Sequence, residues 1–313
     1  MDISITVPFY NEEESVSIFH NKLNKVMLKL NMAYEIIYVN DGSSDQTGAI
    51  LNQIATSNRN VQAVHLRRNF GQTSAMMASI QQTKGEIVIT LDGDLQNDPT
   101  DIPKLIDKIE EGYDVVSGWR KYRKEGIIRR WPSRIANWLV SRITGVQLHD
   151  YGCTLKAYRG SMLRKVRLYG EMHRFIPIYA MQFGANITEL VVKHHPREYG
   201  KSKYGIGRVP RVILDIIVLR FMSKAMDRPI QFFGKIGIYA ILLSFIFGAL
   251  TIYLKLVENI DFILTPLPLL IALLFLTGMI FIMIGLLGEI QIRTYYETQN
   301  RFPFEIDKIV SMN

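Results

Sequence analysis

Two stretches of this chain, residues 236–254 and 262–287, contain no charged residue. About 20 apolar helical residues cross a hydrocarbon core some ~30 Å thick, so each stretch is long enough to span one. The second is long enough to tilt as well. Two such runs side by side argue against buried helices of a soluble core. Pro266 and Pro268 stand near the start of the second run, where a missing N–H costs least. The connecting loop carries Lys255, Glu258 and Asp261. Arg228 and Lys235 precede the first run, and Arg293, Arg301 and Lys308 follow the second. The excess of Lys and Arg outside the loop predicts that both termini are cytoplasmic. The expected layout is a soluble part over 1–205, an interfacial segment over 206–230, spans at 231–256 and 262–288, and a cytoplasmic tail over 289–313.

Composition narrows the partners. A net charge of +8 points to something anionic: nucleic acid, a phosphorylated substrate or an anionic membrane. Cys153 is the only cysteine, so internal disulfides and thiolate metal clusters are excluded. The histidines show no HExxH or similar spacing, which makes zinc unexpected. The first residues have no basic n-region and no cleavage site, so no signal peptide is expected.

The N-terminal part alternates strands and helices. Ser4 to Val7 reads as a strand broken by Pro8, and Val16, Phe19, Leu23, Val26 and Leu30 then recur at helical spacing. Tyr34 to Val39 is a second strand, ending on Asn40-Asp41-Gly42-Ser43-Ser44-Asp45 before a capped helix. Val61 to Leu66 is a third, followed by a helix from about Thr73 to Gln82. A fourth runs from Glu86 to Leu91 and a fifth from Asp114 to Ser117. The pattern predicts an α/β, doubly wound, mostly parallel sheet.

The fourth strand stops on Asp92-Gly93-Asp94-Leu95-Gln96. Two carboxylates one residue apart at a strand end can turn toward one hard cation, with Gln96 as a third oxygen donor. The plain alternative is a solvated acidic turn. The loops at 8–12, 40–45 and 92–96 all follow strands, and in a doubly wound sheet they can converge on one crevice. There Asp41 can meet a base edge or ribose hydroxyl and Tyr10 can pack on the base, or Asp41 can simply cap a helix. No GxGxxG or GxxxxGK[ST] is present, which removes the main support for dinucleotide and P-loop readings.

Between Trp119 and Arg134, seven residues are Lys or Arg against one Glu. Ile135, Trp138, Leu139 and Ile143 then line one side of an amphipathic helix, taken as interfacial over 134–145. Tryptophans among cations favour a membrane surface or a phosphate near it over nucleic acid, so no nucleic-acid partner is expected. A second basic segment runs from Lys193 to Tyr204, and residues 208–226 look like a membrane-lying helix.

Val7-Pro8-Phe9-Tyr10-Asn11-Glu12, Val39-Asn40-Asp41-Gly42-Ser43-Ser44-Asp45, Arg68-Asn69-Phe70-Gly71 and Leu91-Asp92-Gly93-Asp94-Leu95-Gln96 resemble the inverting GT-A glycosyltransferases. More narrowly, the chain resembles the polyprenyl-phosphate sugar transferases over nearly its whole length. The segments 150–159, 175–178 and 194–204 look particularly like the bacterial undecaprenyl-phosphate aminoarabinose transferase. The resemblance implies a nucleotide-sugar donor, expected as UDP-linked, a polyprenyl phosphate acceptor, and a homo-tetramer in the bacterial inner membrane. It implies that Pro8, Tyr10, Glu12, Val39, Asp41 and Asp92 hold the nucleotide, and that Asp92, Asp94 and Gln96 hold Mg²⁺ or Mn²⁺. Asp92, Asp94, Arg134 and Lys203 would carry catalysis, with Arg120, Arg134 and Lys203 meeting the lipid phosphate or the donor diphosphate. Gly93 stands where many members carry Ala, a difference expected to be harmless. Cys153 stands where some carry Asp, which puts any catalytic role there in doubt.

Two rival readings fit less well. A processive polysaccharide synthase should carry Gln-x-x-Arg-Trp before its spans, and Arg129-Arg130-Trp131 lacks the Gln. A membrane-anchored nucleotide-sugar-binding protein without turnover would tolerate loss of an acid from the Asp pair, and both are present.

Overall fold

A computed structural model describes residues 1–122, 140–142, 144–166, 172–197, 229–262 and 265–298. The chain forms two compact units, Met1–Asp215 and Ile216–Asn313.

The first unit is built on a seven-stranded sheet in the order β3-β2-β1-β4-β6-β5-β7. Its strands are β1 (Ile3–Phe9), β2 (Tyr34–Asn40), β3 (Val61–His65), β4 (Ile87–Thr90), β5 (Val115–Trp119), β6 (Lys156–Arg159) and β7 (Ile187–Val191). All neighbours are parallel except β6, which runs antiparallel between β4 and β5. The β-branched run Ile87-Val88-Ile89-Thr90 is buried throughout, as suits a strand covered on both faces. Crossover helices α1 (Glu13–Met27), α2 (Thr47–Ser57) and α3 (Gln72–Gln82) join the first four strands, and α4 (Ile102–Glu110) follows a 3₁₀ turn at Pro99–Asp101. Short α5 (Gly160–Leu163) and α6 (Ile176–Gln182) complete the described helices of this unit.

The main core gathers Val16, Phe19 and Leu23 of α1 with Ile5, Phe9 and Tyr38 of the sheet. Phe9 meets Phe19 and Tyr38 edge to face, with ring centroids 5.7 and 5.4 Å away. The opposite face carries a smaller cluster of Ile37, Val39 and Ala75.

The structure alters several expectations. β1 runs through Pro8, in register with Val39, rather than breaking there. Thr6 accepts the Leu91 N–H from the β4 side, and side alternates along a strand, so Pro8 also faces β4. The β1–β4 ladder has ended at Thr6 by then, so a residue without an N–H forfeits nothing. Strands β6 and β7 were not read from the sequence, and β6 makes the sheet mixed.

In the second unit, α7 (Pro229–Val257) and α8 (Leu267–Thr298) are long and apolar enough to cross a membrane. α8 continues ten residues past the expected end of the second span at 288. The pair packs through Gly237 and Gly278, where a Cβ on either would come within 2.7 Å of the other's carbonyl oxygen. Of the expected interfacial segments 134–145 and 206–230, residues 134–139, 143 and 206–228 lie outside the described residues.

Candidate active site

In an open α/β sheet, ligands bind beyond the carboxyl ends of strands where the winding direction reverses. Here β1, β2 and β3 run to one side and β4 begins the other, so the switch lies between β1 and β4. The loops after those two strands are 10–12 and 92–96, and the acidic residues of both meet there.

The Asp92–Gln96 loop carries strained backbone at Leu95. Leu95 has φ 63°, the left-handed region that a bulky residue seldom enters. Its side chain is buried in the main core, which anchors it there. Gln96 meets Asp94 Oδ1 through its N–H at 3.2 Å, and its carbonyl accepts from the His195 N–H at 2.9 Å. Gly93 packs against Phe9: a Cβ at this position would lie 2.1 Å from the ring. Glycine is the residue this chain requires there, because the space a methyl would take is filled by an aromatic ring of the core.

Both acids are held above the ordinary carboxylate range, by burial first in each case. The like charge of Asp94 adds to the effect on Asp92, and that of Glu12 to the effect on Asp94. Gln72, the first residue of α3, donates from Nε2 to Asp92 Oδ1 at 2.7 Å. The guanidinium of Arg197 pairs with Glu12, and its Nη1 lies 3.9 Å from Asp94 Oδ2. Among the described residues no group of three or more His, Cys, Asp or Glu side chains is arranged to hold a metal. Two carboxylates in a crevice nevertheless suit Mg²⁺ or Mn²⁺, which take one or two protein acids and leave other positions to phosphate oxygens.

Asp41 is neither a helix cap nor an open carboxylate. Its Oδ1 accepts from the Phe70 N–H at 2.8 Å and its Oδ2 from the Gly71 N–H at 3.0 Å, which locks the 68–71 loop against β2. Burial raises its pKa against the pull of those two amides. Asn11 and Ser43 join the first two loops, the Asn11 N–H donating to Ser43 Oγ at 3.0 Å. Tyr10 is half-buried beside them. Val39 puts its side chain into the core, leaving only main chain for a ligand.

Arg120 lies just beyond β5. Its Nε and Nη2 donate to the two oxygens of Asp150 at 2.7 and 2.9 Å, a bidentate pair that is mostly buried. It is close enough to favour the charged forms of Asp92 and Asp94. The segment 150–159 thus supplies the partner of Arg120. It also supplies Thr154, which favours the charged form of Asp92 and accepts from Asn97 Nδ2 at 2.8 Å. Cys153 is buried, with its thiol pushed up to about 11 by desolvation, and is unsuited to nucleophilic work. Arg134 and Lys203 lie outside the described residues.

The structure thus gathers Glu12, Asp92, Asp94 and Gln96 in one crevice with Arg120 at its edge. Sequence reasoning missed Gln72, Thr154 and Arg197. Arg197 had a signal, since it belongs to the basic segment from which only Lys203 was singled out.

Comparison with known proteins agrees with this geometry. The family model for glycosyl transferase family 2 matches residues 4–167. The chain is 41% identical over 301 residues to a dodecaprenyl-phosphate galacturonate synthase of Rhizobium johnstonii, covering 95% of this chain and 89% of that one. It is 40% identical over 310 residues to an undecaprenyl-phosphate 4-deoxy-4-formamido-L-arabinose transferase of Pseudomonas savastanoi, covering 98% and 90%. A crystal structure of glucosyl-3-phosphoglycerate synthase from Mycobacterium tuberculosis with Mn²⁺, uridine diphosphate and phosphoglyceric acid shares the fold. Its TM-score is 0.54 at 18% identity, over 70% of this chain and 78% of that one. The mixed sheet with its acid pair at the switch point is a GT-A fold, and the chain belongs to glycosyl transferase family 2 and is a glycosyltransferase.

Proposed function

We propose that this glycosyltransferase moves a sugar from a nucleotide-sugar, UDP-linked, to polyprenyl phosphate with inversion at C1. The observation that carries this reading is similarity over nearly the whole chain, apolar helices included, to two transferases named for polyprenyl phosphate acceptors. The chemistry of the crevice fits it. A phosphate acceptor is already an anion at neutral pH, so no general base is needed. What the site must supply is positive charge, to bring two anions together and stabilise the leaving diphosphate. Asp92 and Asp94, with Gln96, would hold Mg²⁺ or Mn²⁺, which supplies neutralising charge to that diphosphate. Arg197 and Arg120 offer cations to the acid pair, and Arg134 and Lys203 are proposed to meet the lipid phosphate.

The product would be a lipid-linked monosaccharide for cell-envelope glycan or lipopolysaccharide modification. The enzyme would sit in the bacterial inner membrane with its catalytic part cytoplasmic, as a homo-tetramer by family resemblance. A radiolabel screen of UDP- and GDP-sugars with undecaprenyl phosphate tests the reaction. Label is expected in the organic phase from one donor, and its absence from every lipid product would overturn the reading. Topology is tested by cysteine labelling at Asn259 in a Cys153→Ser background. Reaction with an impermeant reagent in intact cells is expected, because the 255–261 loop is read as lying on the far side.

A further inference from the structure

Lys156 opens β6 and is among the most deeply buried side chains of the protein, at 2% exposure. A buried ammonium is expensive unless something satisfies it. Among the described residues Lys156 has no ion pair, and its Nζ donates to two main-chain carbonyls, Tyr151 O at 3.0 Å and Arg174 O at 3.3 Å. Asp150 and Cys153 face it from the preceding loop, Arg120 from the end of β5 and Arg174 from the 3₁₀ turn at Met172–Phe175. Burial lowers its pKa to about 8, so the cation persists at neutral pH against a penalty that an apolar residue would not carry.

Its place in the sheet suggests what that charge is for. Lys156 is in register with Thr90 on one side and Ser117 on the other. Two residues beyond Thr90 comes Asp92, and three beyond Ser117 comes Arg120. The loop 150–154, directly before β6, fastens to both strand ends. Asp150 grips Arg120 bidentately, and the Thr154 carbonyl accepts from Thr90 Oγ1 at 2.8 Å, two residues before Asp92. The ammonium holds that loop from beneath, at Tyr151, and ties it to the 3₁₀ turn through Arg174.

We propose that Lys156 is a positioning residue for the transfer step, pinning the 150–154 loop that sets Arg120 and Thr154 against the acid pair. It touches neither substrate. The inference rests on the transferase reading for its kinetic consequence, but the pinning itself can be measured without turnover.

The test uses the full chain in phospholipid-containing micelles, as wild type, Lys156→Met and Lys156→Arg. Hydrogen–deuterium exchange at fixed pH, without substrates, is followed over 150–154. Exchange in Lys156→Met is expected to quicken at least tenfold there and not in β1 or β2, with a melting temperature no lower than wild type. Its kcat is expected to fall at least tenfold while KM for donor and lipid stays within about threefold. Lys156→Arg, which keeps a cation able to reach both carbonyls, is expected to restore protection and most of kcat. Unchanged exchange over 150–154 in Lys156→Met overturns the proposal. So does a general loss of protection with a lowered melting temperature in both variants, which marks a role in stability alone. If exchange quickens locally while the wild-type enzyme moves no sugar, the pinning stands and the transferase reading fails.

Discussion

Arg197 pairs with Glu12 across 185 residues of sequence, and the same guanidinium lies 3.9 Å from Asp94. One cation from the segment that follows β7 thus bridges the loops that follow β1 and β4. Glu12 and Asp94 are both mostly buried, so each gains more from that cation than an exposed acid would.

Removing that cation should weaken donor binding. Arg197→Ala leaves two carboxylates facing each other where an anionic diphosphate is expected to bind. Loss of hydrogen bonds to charged groups costs about 1.5–3 kcal/mol, or roughly 10- to 150-fold in KM for the nucleotide-sugar. Calorimetry with UDP and Mn²⁺ checks it. Unaltered affinity would show that Arg197 stays with Glu12 throughout.

Metal dependence follows from the acid pair. Asp94→Asn keeps the shape of the side chain and removes one charge, and should reduce transfer by about a hundredfold, the scale for losing one charge-stabilising group. Chelation with EDTA should abolish transfer and added Mg²⁺ or Mn²⁺ should restore it. Full activity in EDTA would contradict the assignment.

Gly93→Ala should be destabilising, because its new methyl meets the Phe9 ring. Overpacking of this kind costs about 1–3 kcal/mol. Phe9→Leu makes room, so the double variant should melt higher than the sum of the single losses predicts. Additive losses would mean that the ring moves aside freely.

Lys156 sets a pH dependence of stability. Its pKa is about 8 in the folded chain against 10.5 ordinarily. Between those values the unfolded chain holds a proton that the folded chain has released, so stability rises with pH across that window. Below pH 8 the full penalty applies, on the order of 3 kcal/mol. Lys156→Met should therefore show its largest gain in melting temperature near pH 7, shrinking toward pH 10. A gain independent of pH would rule out titration of this lysine as the cause.

The sequence by itself determined what depends on local pattern. The apolar runs at 236–254 and 262–287 required long helices, because nothing in them could face water. The five strands from β1 to β5 were legible because each is an apolar run closed by turn residues, and the acid pair because it ends the most buried of them. Tertiary structure decided everything that joins distant segments. β6 (Lys-Ala-Tyr-Arg) and β7 (Ile-Thr-Glu-Leu-Val) carry charged residues within the strand, and their partners are fixed by neighbours far off in sequence rather than by their own periodicity. The pairing of Arg120 with Asp150, of Gln72 with Asp92 and of Arg197 with Glu12 has no signature in spacing, since each depends on where the sheet brings two loops. The fit of Gly93 against Phe9 likewise arises only when β1 and β4 lie side by side and one ring fills the space between them.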